Sequence, residues 1–502
     1  MRYLVLLINT HIGKWGAITG SLCLVAFGQP YFSHTLSIVG AVFGFGLFFR
    51  ALLLFKKRYL VAFVWFAAVQ LIDLIWFCTP KYHGPMIFIA WFLIACWMGA
   101  QFGVVYTCFP SQGKPGVKHA LCAASLCTLI EFSRYYFFCG FAFNPAGLPW
   151  TASLYSLQCV SLFGILGFSF FTIFLGMLFA GDFRKSFAAA ALFPFLIGAL
   201  LYYPRSSAME KEGKTLQALL VQTGLKQEEK VPMPGQGARF ISPIQQWAQM
   251  LSLIPEEKNF DLVVLPEAVF PFGANQQIFP NRETNGIFAR EFRDALGSDL
   301  LMGLDDTDEA GNHNAAFFFS EEETKRYEKR VLVPLGEYLP LSFLRILAAK
   351  YGLTQFFTEG KEAKVFVGKV PFSPTICYEE CYPHLVRQGR KKGAELFVNI
   401  TNDGFYPDSI LPQVHFAHGL VRAVENGVPV LRACNTGVTA SVDSLGRVVD
   451  KIEGEWVRQG LLTSVPTYTY QTIYSQFGDY PLLLLSFFVL TLRMKSRIKK
   501  ST

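Results

Sequence analysis

Long runs of apolar side chains dominate the first 204 residues, and each run approaches the roughly 20 residues that a helix needs to cross a bilayer. A shorter apolar run lies near the carboxyl terminus and is followed by basic residues. The runs lie near Lys14–Gln29, Thr35–Phe55, Tyr59–Phe77, Pro85–Phe109, His119–Phe138, Leu154–Phe183, Ser186–Tyr203 and Tyr480–Leu492. The pattern predicts a polytopic α-helical membrane domain with about eight transmembrane helices, seven plus one. Met1–Leu7 shows no small-residue cleavage site and is interpreted as part of a retained first helix.

Between residues 215 and 465 the pattern changes to short β-rich runs that alternate with helical stretches. Predicted strands are Leu216–Gln222, Leu262–Pro266, Leu300–Leu304, Ala315–Phe319, Lys369–Tyr378, Leu396–Thr401, Val428–Cys434 and Thr439–Asp443. Predicted helices are Pro243–Leu253, Asn281–Ala295, Pro383–Lys391 and Pro412–Glu425. Glu321–Glu323, with Lys325 and Arg326, is interpreted as a solvated mixed-charge loop. We therefore expect three parts: a membrane domain at 1–204, an inserted soluble α/β domain at 215–465, and a final transmembrane helix with a basic tail at 475–502.

The charge distribution predicts which side of the membrane each part faces. Hydrophobic residues make up 52% of the chain and charged residues 16%, which excludes a disordered chain and argues against a purely soluble one. The net charge of +8 arises at the two apolar ends and gives no indication of nucleic-acid binding. Basic residues follow alternate spans, at Lys56–Arg58, at Lys114 and Lys118, at Arg184–Lys185 and in the tail. The positive-inside rule places these segments in the cytoplasm and the inserted domain outside it, whereas one span more or fewer would reverse the domain.

Three side chains in the inserted domain could together perform acyl chemistry. Glu267 follows a predicted strand, Lys329 lies in a mixed-charge run, and Cys377 stands near the end of another strand. Taken singly, a loop glutamate, a surface lysine and a buried inert cysteine are the commoner explanations. A thiol attacks an acyl carbon as its thiolate, however, and a carboxylate with a lysine supplies proton removal and charge stabilisation. Strand ends of one sheet can bring the three groups together, and the sequence therefore predicts a Glu–Lys–Cys site.

A metal site is the alternative for this cysteine. Cys377, Cys381 and His384 have a ligand-like spacing, but the spacing matches no common zinc signature. We therefore expect neither a metal nor a cofactor.

Several short motifs resemble those of the apolipoprotein N-acyltransferase family, the membrane-embedded branch of the nitrilase (carbon–nitrogen hydrolase) superfamily. The matching segments are Leu265–Glu267, Tyr327–Glu337, Ile376–Glu379, Asn399–Gly404, Gln413-x-His415, Arg422–Glu425 and Arg432-x-x-Asn435-x-Gly437. Together with the seven-plus-one arrangement of spans, the resemblance extends over nearly the whole chain. It implies that the inserted domain is a nitrilase-like αββα sandwich.

The resemblance also implies roles for individual residues. Glu267 would be the general base, Lys329 would stabilise the developing oxyanion, and Cys377 would be the nucleophile. Glu337 would orient the lysine and the base, and Tyr378 and Glu379 would lie beside the nucleophile. Candidate substrate-binding residues are Asn402, Asp403, Phe405, Arg432 and Asn435.

This chain departs from the family pattern at a few positions near the expected lipid-binding mouth. Phe405 stands where the family often has Trp, Leu335 replaces a common Phe, and Val221–Gly224 replaces the usual start of the domain. Apolar segments at Phe270–Phe272, Leu339–Leu344 and Phe405–Tyr406 are candidates for the rim that excludes water.

The activity implied by the resemblance is the final step of lipoprotein maturation. A fatty acyl chain would pass from a phospholipid through a Cys377 thioester to the N-terminal α-amine of a diacylglyceryl-modified apolipoprotein, with ping-pong kinetics. We expect a monomeric, multi-pass protein of a bacterial inner membrane, with a periplasmic catalytic domain and a cytoplasmic carboxyl terminus.

Three other functions stay open at this stage. A membrane-tethered amidase or nitrilase would use the same three residues and pass its acyl group to water. A channel or transporter with a binding ectodomain would need ionisable residues within its spans, for which Asp73, Glu131 and Arg134 are the candidates. A non-catalytic scaffold would use Cys377 only for packing.

Overall fold

The chain folds into two compact units, one made of Met1–Arg205 with Thr472–Thr502 and the other of Ser206–Gln471. The computed structural model describes residues 10–137, 140–181, 184–231, 239–256, 260–269, 284–334, 336–339 and 356–501.

The first unit is helical. Its longer helices are α1 (His11–Ala26), α2 (His34–Leu52), α3 (Arg58–Asp73), α4 (Met86–Gly103), α5 (Val117–Ser133) and α6 (Val160–Ala180), together with the carboxyl-terminal helix Tyr480–Ser501. A further long helix, α7 (Arg184–Glu212), begins in this unit and ends beyond its last residue, Arg205. Short helices occupy Pro80–His83, Leu154–Leu157 and Ile473–Phe477. Each of the eight predicted apolar runs overlaps one of the longer helices, although the predicted ends at Phe138 and Phe183 lie outside the described residues.

Four stretches in the described part of the chain are long and apolar enough to cross a membrane, judged by length and composition. They are His34–Leu52, Met86–Cys108, Val160–Ala180 and Lys185–Glu212. The presence of membrane-spanning helices is thus confirmed, whereas the number of eight spans stays a prediction.

Aromatic rings and small residues hold this unit together. Phe48 of α2 stacks on Trp65 of α3, with 3.9 Å between ring centroids. A Cβ atom at Gly99 of α4 would lie 2.7 Å from the carbonyl oxygen of Phe63, so glycine at this position lets α3 and α4 pack closely. Helix α2 contains a π-helical turn at Gly40–Gly44, which widens the helix at that level.

The second unit contains two six-stranded sheets. The first sheet has the order β12-β1-β2-β3-β4-β5, and the second has the order β11-β10-β9-β8-β7-β6. Parallel pairing joins β1, β2 and β3 in the first sheet and β7, β8 and β9 in the second, and the remaining neighbours pair antiparallel. The strands are β1 (Thr215–Gln222), β2 (Leu262–Val264), β3 (Asp299–Asp308), β4 (Gly311–Phe319), β5 (Thr324–Glu328), β6 (Phe366–Val367), β7 (Pro371–Ile376), β8 (Leu396–Thr401), β9 (Val430–Cys434), β10 (Ala440–Val442), β11 (Val448–Lys451) and β12 (Gln459–Pro466).

Helices cover the outer faces of the two sheets. They are α8 (Pro243–Leu251), α9 (Thr284–Leu296), α10 (Pro383–Lys391) and α11 (Leu411–Asn426), and the carboxyl-terminal helix Tyr480–Ser501 of the first unit is numbered α12. Leu220 and Val398, from different sheets, share one buried cluster, so the sheets pack face to face. Met250 of α8 packs on the outside of the first sheet, and Ala423 of α11 packs on the outside of the second. The predicted αββα sandwich is confirmed.

One segment predicted as a loop is a strand. Lys325 and Arg326 were expected in a solvated loop, but they belong to β5, which pairs with β4 at the edge of the first sheet. Tyr327 points inward and is fully buried, while Lys325 and Arg326 are partly exposed. An edge strand with one solvated face tolerates charged residues, which is why its composition resembles that of a loop.

Candidate active site

The three predicted catalytic residues follow three different strands of the second unit. Glu267 comes shortly after β2, Lys329 directly after β5, and Cys377 directly after β7. The chain turns sharply after Glu267, because Ala268 has a positive φ of 43° and the Val269 amide donates to the Gly303 carbonyl at 3.0 Å. Cys377 also has a positive φ, of 53°. Non-glycine residues rarely adopt this conformation, and those that do are held by their surroundings, often at functional sites.

Glu267, Lys329 and Glu337 form one buried charged cluster. The Lys329 ammonium nitrogen lies 3.1 Å from Oε1 of Glu267 and 2.8 Å from Oε1 of Glu337. Asn314 of β4 donates from its amide nitrogen to the same two oxygens, at 2.7 and 2.9 Å. The cation and the amide thus hold both carboxylates in place, and the orienting role predicted for Glu337 is consistent with these distances.

The electrostatics of the cluster keep Lys329 charged. Burial by itself would lower the pKa of Lys329, which is only 1% exposed, but the carboxylates of Glu267 and Glu337 and the thiol of Cys377 raise it well above its usual value. An ammonium with a raised pKa does not release its proton near neutral pH. Lys329 is therefore suited to stabilising negative charge rather than to transferring protons.

The thiol of Cys377 is protonated in the resting site. Burial raises the pKa of this thiol well above its usual value, and the negative charge of Glu267 raises it further, while Lys329 acts in the opposite direction. The pKa of the thiol thus responds to the charges of both Glu267 and Lys329. If Cys377 acts as the predicted nucleophile, a base would have to remove this proton to give the reactive thiolate. Glu267 is the carboxylate with the largest effect on the pKa of the thiol.

A second polar network fixes the backbone of Cys377. The carbonyl oxygen of Cys377 lies 3.1 Å from Nε2 of His415 and accepts from the Asn399 side-chain amide at 3.3 Å. On its other side, Nδ1 of His415 lies 2.9 Å from Asp403. Arg432 donates to Asp403 at 3.3 Å and to Glu380 at 3.0 Å. Side chains from β8, β9 and α11 therefore hold the strained turn that carries the thiol.

Burial and charge determine the protonation of this network as well. Burial would lower the pKa of His415, but the carboxylates of Glu380 and Asp403 raise it well above its usual value. Burial would raise the pKa of Asp403, but the charges of His415 and Arg432 lower it. The His415 side chain is therefore an imidazolium that pairs with the carboxylates of Glu380 and Asp403.

Glu379 and Tyr378 follow the nucleophile directly. Glu379 is fully buried and accepts hydrogen bonds from the Tyr327 hydroxyl at 2.8 Å, from the Ile376 amide at 2.7 Å and from the Arg330 amide at 2.6 Å. It thus joins the end of β7 to the segment that carries Lys329. Tyr378 packs edge-on against Tyr382, with 5.0 Å between ring centroids.

Most of the predicted substrate-binding side chains are buried. Asp403 and Arg432 belong to the network behind Cys377. Asn435 donates to the Leu225 carbonyl at 2.8 Å and to Oδ1 of Asn402 at 3.1 Å. Phe405 is 44% exposed and is the member of the set best placed to meet a substrate. A binding role for these five residues stays a prediction, and the contacts of the other four indicate that they support the site.

Two further residues lie in the site without having been predicted. Asn314 contacts both carboxylates, as described above. Lys230 is 2% exposed and donates to the Ala268 carbonyl at 2.7 Å, directly beside Glu267. Burial lowers the pKa of Lys230 to about 8, although Glu267 and Asp305 act in the opposite direction. Neither residue stands in a recognisable motif, and each contact joins segments that are distant in the sequence.

The metal-ligand spacing noted in the sequence does not form a ligand set. Within the described ranges, the one group of three possible ligands with atoms closer than 4.8 Å is Cys377, Asp403 and His415. His415 and Asp403 already pair with each other, and Arg432 adds a positive charge beside Asp403.

Of the predicted rim, Phe270–Phe272 and residues 340–344 lie outside the described residues, as does Leu335.

Comparison with known proteins agrees with the motifs. Residues 19–178 match the sequence model described as Apolipoprotein N-acyltransferase N-terminal domain, and residues 238–474 match that described as Carbon-nitrogen hydrolase. The apolipoprotein N-acyltransferase of Chlamydia pneumoniae is 31% identical over 520 residues, which is 93% of this chain and 94% of the relative. That of Chlamydia muridarum is 33% identical over 537 residues, with the same shares covered. Among solved structures, an amidase from Nesterenkonia sp. matches 54% of this chain and 95% of its own at 18% identity, with a TM-score of 0.39. The relatives extend over nearly the full length of this chain, and the chain belongs to the apolipoprotein N-acyltransferase family.

Proposed function

We propose that this protein transfers a fatty acyl chain from a membrane phospholipid to the N-terminal α-amine of a diacylglyceryl-modified apolipoprotein. The observation that carries the proposal is the cluster in which a buried Lys329 pairs with Glu267 and Glu337 beside the protonated thiol of Cys377. Family membership supplies the class of reaction, and the cluster supplies a base, a cation and a nucleophile.

In the first half of the proposed reaction, Glu267 takes the proton from Cys377 while the sulfur attacks the ester carbonyl of the phospholipid. Negative charge develops on the carbonyl oxygen, where the Lys329 ammonium and the backbone N–H of Tyr378 stabilise it. The carbon–oxygen bond to the glycerol then breaks, and Glu267 returns its proton to the departing oxygen. The products are a lysophospholipid and a thioester on Cys377.

In the second half, the α-amine of the apolipoprotein attacks the thioester. An α-amine has a pKa of about 7.7–8.0, so a useful fraction is neutral at physiological pH. Glu267 accepts one proton from the nitrogen, the carbon–sulfur bond breaks, and the thiolate takes up the proton from Glu267. An amide forms, the thiol is restored, and the two half-reactions give ping-pong kinetics.

The membrane-spanning unit has a physical role in this proposal. Both substrates carry acyl chains, and removing an acyl chain from the bilayer costs about 0.8 kcal/mol per CH₂. An enzyme anchored in the same bilayer avoids that cost. Under this proposal residues 1–204 and 475–502 are the membrane parts, and residues 215–465 are the catalytic domain.

The location follows from the positions of the basic residues. We place the protein in a bacterial inner membrane with the catalytic domain on the periplasmic side and the carboxyl terminus in the cytoplasm. It would act as a monomer, since one chain supplies the base, the cation and the thiol.

Replacing the nucleophile tests the proposal directly. We expect Cys377→Ala and Cys377→Ser to lower acyl transfer to a diacylglyceryl peptide by on the order of 10⁴-fold or more, because the covalent route is lost. Wild-type protein incubated with phospholipid should gain the mass of one acyl chain, and Cys377→Ala should not. Cys23→Ala removes an exposed thiol of the first unit and should retain the acyl adduct and full activity.

Two results would contradict the proposal. Transfer by Cys377→Ala at the wild-type rate would exclude the thioester route. Release of free fatty acid by the wild-type protein, with no amide formed on the peptide, would assign the site to hydrolysis instead.

A further inference from the structure

A small cavity lies within the first unit, to which none of the proposed catalytic residues belongs. Its volume is about 20 Å³, which is room for a single particle of the size of water. Helices α1, α2, α3 and α6 and the segment before α6 contribute to its wall. The polar residues lining it are Gln29, Gln70, Asp73, Asn144 and Thr172.

Three oxygen atoms of these lining residues have no hydrogen-bond partner among the residues that the structure describes. They are Oε1 of Gln29, Oδ1 of Asp73 and Oδ1 of Asn144. The three residues are 4%, 1% and 5% exposed, respectively. Buried polar atoms without partners are rare, because each has given up its hydrogen bonds to water without replacing them.

The nitrogen atoms of the two amides are already bonded. The Gln29 amide nitrogen donates to the Val25 carbonyl at 3.1 Å. Because a carbonyl only accepts hydrogen bonds, this contact fixes which side of the Gln29 amide is oxygen. The Asn144 amide nitrogen donates to Oε1 of Gln70 at 3.1 Å. The unpartnered atoms are therefore acceptors, and one of them belongs to a carboxylate.

The carboxylate of Asp73 also lacks a positive partner. Within the described ranges no lysine, arginine or histidine lies within ion-pair distance of it. Arg134, a buried arginine directly after the end of α5, donates from its Nε to Oε1 of Gln101. An isolated carboxylate in apolar surroundings is strongly unfavourable unless a proton or a cation neutralises it.

We propose that this cavity binds one dehydrated monovalent cation of the size of Na⁺. A proton on Asp73 would satisfy one of the three acceptors, and a water molecule would satisfy two without removing the charge. A cation binds all three oxygens and neutralises the carboxylate. Oxygen atoms are the ligands that hard cations prefer, and the single carboxylate favours a single positive charge.

The position of the site suggests what the cation does. Gln29 follows the end of α1, Asp73 is the last residue of α3, and Asn144 lies in the segment before α6. The π-helical turn of α2 contributes Gly40 and Ala41 to the same wall. A cation held here links these segments at one end of the helical unit and stabilises their packing.

Ion-dependent stability of the full-length protein in detergent tests the proposal. We expect NaCl to raise the unfolding temperature by roughly 2–4 °C along a one-site curve, compared with choline chloride at equal ionic strength. Radioactive ²²Na⁺ should bind with a stoichiometry of one per chain. Asp73→Asn should abolish both effects, and Cys377→Ala should retain them.

Asp479→Asn is the matched control. Asp479 is also a buried carboxylate of the first unit, and it accepts from the Tyr474 hydroxyl at 3.2 Å; it does not line the cavity. Its replacement should leave the Na⁺ response unchanged.

Several results would overturn the proposal. An equal rise in choline chloride would show a general salt effect, and no ²²Na⁺ binding would leave water as the occupant. An unfolding temperature that follows pH but not Na⁺ would identify a protonated Asp73. If Asp73→Asn does not fold, Gln29→Met replaces it: the Na⁺ concentration for half effect should rise on the order of tenfold, and an unchanged value would refute the site.

Discussion

The Lys329 ammonium pairs with the carboxylates of Glu267 and Glu337, and all three charged groups are largely shielded from water. A buried ion pair gains little net stability, because desolvation offsets the attraction between the charges, but removing one partner leaves the others uncompensated. The arrangement is therefore better explained by chemistry than by stability. A fixed positive charge that cannot lose its proton is what a developing oxyanion requires.

Replacing this lysine by a neutral side chain should affect both activity and stability. We expect Lys329→Met to lower the rate of acyl transfer by about 10²–10³-fold, by loss of oxyanion stabilisation. It should also lower the free energy of unfolding by about 3–5 kcal/mol, because Glu267 and Glu337 are left without their cation. Acyl transfer to a diacylglyceryl peptide and denaturant unfolding measure the two effects. Lys325→Met, at a partly exposed position of β5, should change neither quantity appreciably.

Lys230 offers a test of positioning rather than of chemistry. Its hydrogen bond to the Ala268 carbonyl holds the strained turn beside Glu267. Without it the carboxylate loses its orientation, and we expect Lys230→Met to lower kcat by about 10–100-fold while KM for phospholipid stays near the wild-type value. Lys230→Arg, which retains a donor, should recover part of the loss. A rise in KM with kcat unchanged would instead place Lys230 in substrate binding.

The sequence predicted a site at Glu267, Lys329 and Cys377 because each stands in a short motif near a strand end. Asn314 and Lys230 were missed for a physical reason. Asn314 reaches the site from the middle of the β3–β4–β5 region, and Lys230 reaches it from a four-residue helix, Gln227–Lys230. Their contacts depend on strand order and register, which a pattern of hydrophobic positions does not specify.

At the scale of elements, the turn after β7 shows how the fold presents a thiol. Strand β7 is buried and runs parallel to β8, so its carboxyl end is the place where a parallel sheet exposes side chains. The turn Cys377–Cys381 then bends the chain toward α10. Two contacts hold this turn in place. Glu379 accepts a hydrogen bond from the Tyr327 hydroxyl of β5, and Nε2 of His415 in α11 contacts the Cys377 carbonyl.

The charge on His415 makes this support depend on pH. Because the pKa of His415 is raised in the folded state, the folded protein holds a proton that the unfolded chain releases above about pH 6.5. The contribution to stability is fully present below that pH and is lost as the pH rises through the raised pKa. We expect His415→Gln to have a lower unfolding temperature than wild type near pH 6, with a difference that shrinks as the pH increases.

Thermal unfolding of the purified protein between pH 6 and pH 9 measures this dependence. His34→Gln, which alters an imidazole of the first unit that contacts the Ala152 carbonyl, serves as the control and should follow the wild-type profile. A constant difference between His415→Gln and wild type at every pH would show that the imidazole contributes packing and hydrogen bonds but no charge.

The elements themselves were predictable where one pattern was unambiguous. The limits of β8 and of α10 agree with the predicted Leu396–Thr401 and Pro383–Lys391, because the strand is rich in apolar and β-branched residues and the helix begins with proline. Strands β5, β6, β11 and β12 were not predicted. Strands β5, β11 and β12 carry polar or exposed positions, and β6 has only two residues, so that neither alternation nor length distinguished them from loops.

For the whole molecule, composition and charge predicted a membrane part and an inserted soluble part. The separation into two compact units is in line with that expectation, and the order of strands within the sandwich is not something the sequence could supply. The orientation rests on one count: seven spans before Arg205 place the second unit outside the cytoplasm. All four stretches that are long and apolar enough to cross a membrane lie before Thr215. Whether the number of spans before the second unit is odd or even therefore depends on how many of the shorter helices also cross.

Labelling of single cysteines in intact cells decides the orientation. Glu322 lies in the exposed turn between β4 and β5, and Lys57 lies in the basic turn before α3. If the second unit is periplasmic, a thiol-specific reagent that does not cross the inner membrane should modify Glu322→Cys once the outer membrane is made permeable, and should modify Lys57→Cys only after lysis. The opposite pattern would place the proposed active site in the cytoplasm. There it could not meet an acceptor whose modified terminus lies on the outer face, and the proposed function would fail along with the topology.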